Sequence, residues 1–323
     1  MTPLLIVILG PTAVGKTELT LSLAQKLDCP ILNCDSRQIY RDMRIGTAAP
    51  TEEQQERARH YFVGQLSLNE YYSAAKYEQD VLQLASELFK KHDTLILSGG
   101  SMMYIDAVCN GIDDIPTVTE EVRTHLARRL QEEGPEPLLA ELRLVDPEHY
   151  GNVDRKNTKR VVHALEVYYT TGKPYSSFLT RKTLRNAENA QQNTGRPFRI
   201  VKIGLNRPRE ELFERINARV EDMINSGLLH EAMSLLPFRH ENALNTVGYK
   251  EMFNVLDGTW QLPMAIERMK KNTRVYAKKQ LTWFMHDKSI TWFHPDRHEE
   301  ILDFINRNIQ TAATTSHSHQ EQR

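Results

Sequence analysis

The chain has 323 residues, 40% of them hydrophobic and 26% charged, with a formal net charge of −1. This is ordinary globular composition, long enough for a sizeable core divided between two domains, and it excludes a fibrous or wholly disordered protein. A near-neutral chain does not advertise a nucleic-acid binder by its average charge, so any such surface must come from local clustering.

Residues 4–9 are an uninterrupted apolar run. It is too short to cross a bilayer and lacks a basic leader or small-residue cleavage site, so it reads as a buried strand of a cytoplasmic protein with no membrane partner. The next eight residues, Gly10, Pro11, Thr12, Ala13, Val14, Gly15, Lys16 and Thr17, match GxxxxGK[ST] between that strand and a helical run at 18–27. The glycines let backbone N–H groups wrap an anion, the helix N-terminus adds partial positive charge, and Lys16 adds a full one. Thr17 is positioned to offer its hydroxyl to Mg2+.

A strand at 31–34, a helix at 73–90 and a strand at 94–98 continue the βαβ rhythm of a parallel sheet. From about Ile112 to about residue 195 the pattern is helical, broken by Pro116, the Gly-Pro-Glu-Pro turn at 134–137, Pro147 and the Gly-Lys-Pro at 172–174. Residues 198–205 return to the sheet, and Pro208 starts a long helical stretch. The expected fold class is therefore α/β: a P-loop NTPase-like parallel sheet core flanked by helices (1–111 and 196–310), with a mostly helical insertion, a swinging domain, at 112–195. Residues 311–323 are polar and free of large apolar side chains, and are expected to form a disordered tail. Cys29, Cys34 and Cys109 fit neither an even disulfide set nor a CxxC metal spacing, which points to reduced thiols in the core.

The P-loop is specific for a diphosphate-containing ligand and silent on what carries it. A nucleoside triphosphatase normally ends a later strand in a Mg2+-holding acid, whereas the strand at 94–98 runs into Ser98, Gly99, Gly100 and Ser101. A P-loop small-molecule kinase and a nucleotide-gated RNA-binding switch stay open. Asp35 follows the second strand, at the sheet edge where open α/β folds collect ligands, and suits a general base. The same carboxylate also suits the N-cap of a helix over 36–40. Two basic clusters, Arg155, Lys156, Lys159 and Arg160, and Arg268, Lys270, Lys271, Arg274, Lys278 and Lys279, suit phosphate contacts or solvated helix faces.

GPTAVGKT at 10–17, DSRQIY at 35–40, IGTAAP at 45–50, SGGSMMY at 98–104, KRVVHALEVYYTTGKP at 159–174, TVGYKE at 246–251 and TRVYAKKQLTWF at 273–284 together resemble the tRNA dimethylallyltransferase (isopentenyltransferase) family. The likeness covers about residues 4–290, and no zinc-finger extension follows, so the chain resembles the bacterial type. The resemblance implies transfer of a dimethylallyl group from its diphosphate to N6 of adenosine 37 in tRNAs that read codons beginning with U. It implies Mg2+ as cofactor and tRNA (the anticodon stem-loop) and dimethylallyl diphosphate as partners; nothing in the sequence suggests an obligate partner chain, so a monomer is expected. It makes Asp35 the base, and it makes Lys16, Thr17 and an arginine the receivers of the departing diphosphate, the arginine being Arg219 with Arg215 as the alternative. By the same resemblance Asp35, Ser36, Arg37, Gln38, Ser101, Arg123, Lys159, Arg160, Val161, Val162, His163, Thr246, Val247, Gly248, Tyr249, Lys250, Glu251, Arg274, Lys278 and Lys279 meet tRNA. Ser101 stands where the family usually has threonine, Lys279 where it has arginine, and Met285 where many relatives carry arginine. Trp283 and Phe284 suit the core or base stacking.

Overall fold

The computed structural model describes residues 2–113, 115–179 and 195–317. The chain divides into two compact units, Met1–Cys109 with Gly195–Arg323, and Asn110–Thr194.

In the first unit, β1 (Leu4–Leu9), β2 (Ile31–Cys34), β3 (His60–Tyr61), β4 (Thr94–Gly99), β5 (Arg199–Leu205) and β6 (Ile290–Phe293) form one sheet in the order β3-β2-β4-β1-β5-β6. Every pairing is parallel. All six residues of β1 are buried. Leu5, Val7 and Leu9 belong to one core cluster and Leu4, Ile6 and Ile8 to a second. The strand is a continuous apolar run because a parallel sheet is covered on both faces, and its period of two sends alternate side chains to the two sides.

Around the sheet lie α1 (Lys16–Leu27), α2 (Glu52–Arg57), α3 (Ala74–Leu88) and α4 (Met102–Asn110). The second unit contains α5 (Glu120–Glu133), α6 (Pro135–Val145), α7 (Pro147–Asn152) and α8 (Thr158–Thr171). Its breaks lie where the sequence puts them, with Gly134 between α5 and α6, Pro147 opening α7, and Gly172 ending α8 in the left-handed region at φ 70°. Leu126, Leu138, Leu142, Val161 and Leu165 form its own core. The chain returns through β5 to α9 (Arg209–Asn225), α10 (Leu228–Ser234), α11 (Tyr249–Leu256), α12 (Leu262–Phe284) and α13 (His298–His317).

Three features differ from expectation. The edge strands β3 and β6 have two and four residues and pair on one side each, too short to leave a periodic signature. No helix follows Asp35, since residues 36–39 are turns. Finally, α13 continues to His317, so 311–317 correct the tail expected from 311. Ala312 and Ala313 propagate a helix that is already nucleated, which costs far less than starting one. Residues 318–323 of that expected tail lie outside the described residues.

All three cysteines are free and buried. Burial pushes the Cys29 and Cys109 thiols up to about 12, which leaves them unreactive. Among the described residues no helix is long and apolar enough to cross a membrane.

Gly99 permits the closest approach in the sheet, because a Cβ there would stand 1.9 Å from the Cys34 carbonyl oxygen on β2. Gly99→Ala is expected to lower stability by about 1–3 kcal/mol or more, as overpacked sites do; the urea unfolding midpoint measures it.

Candidate active site

The loop between β1 and α1 wraps an open space with backbone. Gly10 has φ 152°, and a Cβ on it would lie 2.6 Å from the Leu205 carbonyl oxygen, so only glycine fits beside β5. Ala13 and Gly15 take φ 63° and 110°, and α1 starts after Gly15 with no side-chain cap. Its first N–H groups are therefore left for an anion. Lys16 Nζ folds back and donates to the carbonyls of Gly10 (3.0 Å) and Pro11 (2.8 Å). Burial, and then the nearby Arg219 guanidinium, lower its ammonium to about 7, while Asp35 acts in the opposite direction.

This loop lines a cavity of about 830 Å³ together with Asp35, Thr47, Arg215, Arg219 and Tyr276. Asp35 leaves the carboxyl end of β2, and its Oδ1 accepts from the backbone N–H groups of Arg37 (2.9 Å) and Gln38 (3.3 Å). The carboxylate organises a turn instead of a helix start. Oδ2 has no hydrogen-bond partner among the described residues and remains available as a proton acceptor. Ser101 Oγ accepts from Ser36 N at 3.2 Å, tying the segment after β4 to the one after β2.

Arg215 and Arg219 lie one turn apart on α9. Arg215 Nε donates to the Ala13 carbonyl of the phosphate loop at 3.0 Å, and Arg219 Nη2 donates to the Thr47 carbonyl at 3.2 Å. Burial lowers Arg219 from its ordinary value against the pull of Asp35. Both arginines line the cavity, so the structure brings both candidates to it.

Thr17 is exposed and also lines the cavity. Its hydroxyl suits a Mg2+ held mainly by phosphate oxygens and water, since that ion keeps several waters and takes few protein ligands. Among the described residues, the one group of three or more acidic or His side chains close enough to share an ion is Glu211, His294 and Asp296. Arg207 donates to both carboxylates of that group and accounts for it as an ion-pair network.

Of the stretch 246–251, Thr246, Val247, Lys250 and Glu251 line the cavity. Gly248 has φ 99°, the positive φ that favours glycine. Tyr249 is fully buried, and Glu251 is buried with its carboxylate on Gly248 N (2.7 Å) and Asn272 Nδ2 (2.7 Å). The Tyr249 side chain serves the core, which corrects its expected contact with tRNA, whereas Glu251 braces the Gly248 turn and lines the cavity. Arg274 bonds Asn217 Oδ1 at 2.6 Å and covers the Phe213 ring, so it packs α12 on α9, while Lys278 and Lys279 are exposed. Phe284 is core, whereas Trp283 is exposed with its Nε1 on Asp106 Oδ2 at 3.1 Å.

In the second unit, Lys159, Arg160 and His163 are exposed on α8, and Arg123 is exposed on α5 beside Glu120. Val161 and Val162 face that unit's core, which corrects their place among the expected contacts: a contiguous motif on a helix turns half its residues inward. The sequence reading assigned no role to Gln280. Its Oε1 accepts from Thr12 N at 2.9 Å and its Nε2 donates to Gly100 O at 2.8 Å, joining two loops that line the cavity. A lone polar residue among the apolar positions of α12 is the signal that could have found it.

The model of the IPP transferase family matches residues 38–287. A tRNA dimethylallyltransferase 1 of Phocaeicola vulgatus is 58% identical over 301 residues, 93% of this chain and 97% of the relative. One from Bacteroides thetaiotaomicron is 55% identical over 94% of this chain and 95% of the relative. The crystal structure of the full-length tRNA isopentenylpyrophosphate transferase of Bacillus halodurans superposes with a TM-score of 0.68 at 32% identity, covering 97% of this chain and 99% of that one.

A bound polyanion returns Lys16 to its charged state, so pyrophosphate binding takes up a proton wherever the empty loop holds a neutral lysine. With an ammonium at about 7, the uptake is small at pH 6 and nearly complete at pH 8, and affinity falls as pH rises through that range. Calorimetry in two buffers of different ionisation enthalpy reads it. Lys16→Met is expected to remove most of the uptake at pH 8, and equal uptake in both proteins would mean that the free lysine is already charged.

Proposed function

Since this chain belongs to the IPP transferase family, we propose that its cavity is where a dimethylallyl group passes from dimethylallyl diphosphate to N6 of adenosine 37 in the anticodon loop of tRNAs that read codons beginning with U. The product is N6-dimethylallyladenosine. The observation that carries the reading is the opening of a phosphate-binding loop and a carboxylate with a free oxygen into one cavity.

The exocyclic amine of adenine is a weak nucleophile, its lone pair being delocalised into the ring. Asp35 Oδ2 accepts one of its protons as the nitrogen bonds to C1 of the dimethylallyl group. The C1–O bond to diphosphate breaks, and the electron pair leaves on the diphosphate oxygen. That growing charge meets the amides at the start of α1, Lys16, and Arg219 with Arg215. The Thr17 hydroxyl would hold a Mg2+ ion here, which when bound would supply further charge neutralisation. The target base has to leave the anticodon stack to reach this depth, a step that costs a few kcal/mol of stacking.

Ser36, Arg37, Gln38, Ser101, Thr246, Val247 and Lys250 surround the extruded nucleotide, while Arg123, Lys159, Arg160, His163, Lys278 and Lys279 meet phosphates of the anticodon arm, contacts that position and do not read sequence. The protein acts as a monomer in the cytoplasm, in keeping with its three free, buried thiols. A kinase using the same loop is not favoured at 58% identity to a tRNA dimethylallyltransferase.

Labelled dimethylallyl diphosphate with unmodified tRNA is expected to put label into tRNA without ATP; label excluded from tRNA while phosphate moves to a metabolite would restore the kinase. Asp35→Asn is expected to keep tRNA binding and lose roughly 10²–10⁴-fold in turnover, and full turnover would remove Asp35 from the mechanism. Lys278→Ala is expected to weaken tRNA binding and reduce its salt slope by about 1, whereas an unchanged slope assigns Lys278 to solvent.

A further inference from the structure

The segment after the turn at Asp35 has no regular structure over residues 44–48, yet it forms part of the cavity wall through Gly46, Thr47 and Ala48. Its shape comes from one side chain on α10. Glu231 Oε2 accepts from the backbone N–H groups of Arg44 (3.0 Å) and Ile45 (2.8 Å), and Oε1 accepts from Gly46 N (2.9 Å) and the Tyr249 hydroxyl (2.7 Å). Tyr249 closes the far side, since a Cβ on Gly46 would lie 2.6 Å from its ring. The carboxylate thus gathers three consecutive amides, and a charged acceptor makes each bond shorter and stronger than a neutral one would.

Beyond this clamp the backbone turns outward with its carbonyls toward the cavity. Thr47 O accepts from Arg219 Nη2 (3.2 Å) and Gln38 Nε2 (3.0 Å), and Ala48 O accepts again from Gln38 at 3.1 Å. Gln38 in turn gives its backbone N–H to Asp35 Oδ1. One carbonyl therefore orients both the arginine aimed at the diphosphate and the turn that holds the base.

We propose that Glu231 is a positioning residue for the transfer: it acts through the 44–48 segment, fixing Thr47 O so that Arg219 points at the departing diphosphate. This rests on the assignment of Arg219 made above. Glu231 lines no part of the cavity itself, so its effect reaches the reaction only through that segment.

The experiment is a double-mutant cycle on the full chain with tRNA and dimethylallyl diphosphate. Glu231→Gln offers one carbonyl oxygen where three amides converge, and the released segment is expected to lower kcat on the order of 10²-fold, the scale of a 1 Å misplacement. The KM for tRNA and its salt dependence should hold, while inhibition by inorganic pyrophosphate weakens. In an Arg219→Ala background, Glu231→Gln should cost almost nothing further, because the group it positions is gone. Should Glu231→Gln fail to fold, Tyr249→Phe removes one of the four bonds without stranding an amide; it is expected to cost about tenfold or less and to lose that effect in the same background. Equal factors in both backgrounds, or a KM effect on tRNA in place of a kcat effect, would overturn the proposal. Full turnover in Arg219→Ala alone would instead show that the assignment of Arg219 was at fault.

Discussion

The glycine-rich loop after β1 is tied to the segment after β4 by one buried amide side chain. Gln280, reaching across from α12, satisfies Thr12 N with its oxygen and Gly100 O with its nitrogen. Both ends of the side chain are used and it is only 2% exposed, so its geometry is strongly specified. Gly100 has no Cβ for the same reason, since one would lie 2.4 Å from Gln280 Nε2. The contact extends past the ends of β1 and β4, whose pairing stops at Leu9 and Gly99, and holds the two following segments together. The Thr12 N–H is thereby occupied, whereas the first N–H groups of α1 have no side-chain cap.

The electrostatics of the recess follow from that architecture. Lys16 and Arg219 are crowded into one wall, and Asp35 is the acid that opposes their depressed values. Positive charge at close quarters is tolerated because the loop gives Lys16 two carbonyls to hold. A chain of net charge −1 can thus gather Lys16, Arg215 and Arg219 on the wall of one cavity without displaying it in its composition.

How much of this was legible in the sequence depended on how local each cause is. The buried strands β1 and β2 coincide with the apolar runs that predict them, and the phosphate loop is a contiguous motif with one physical purpose. Asp35 could be placed at a sheet edge because β2 ends beside it, but the turn it organises could not be told from a helix cap, since both use the same carboxylate and backbone donors. Val161 and Val162 were misplaced by reading a motif as a block, when a helix sends neighbouring residues to different faces. Gln280 could at most be singled out as a polar residue on a buried helix face, and neither its partners nor those of Glu231 could be named, because they lie 268 and up to 187 residues away. No period or spacing encodes such contacts; only the folded sheet brings them together.

The buried pair of Arg196 and Glu78 bears on how the sheet accommodates its interruption. Arg196 stands just after the interrupting segment ends, and besides meeting Glu78 at 2.6 Å it donates to the carbonyl of Ala107, just before that segment begins. Departure and return are thereby stapled to one guanidinium and rooted in α3. The strands on either side feel the excursion only as a fixed pair of neighbouring posts. A change in length between those posts would therefore leave the β1–β5 pairing beyond them where it is.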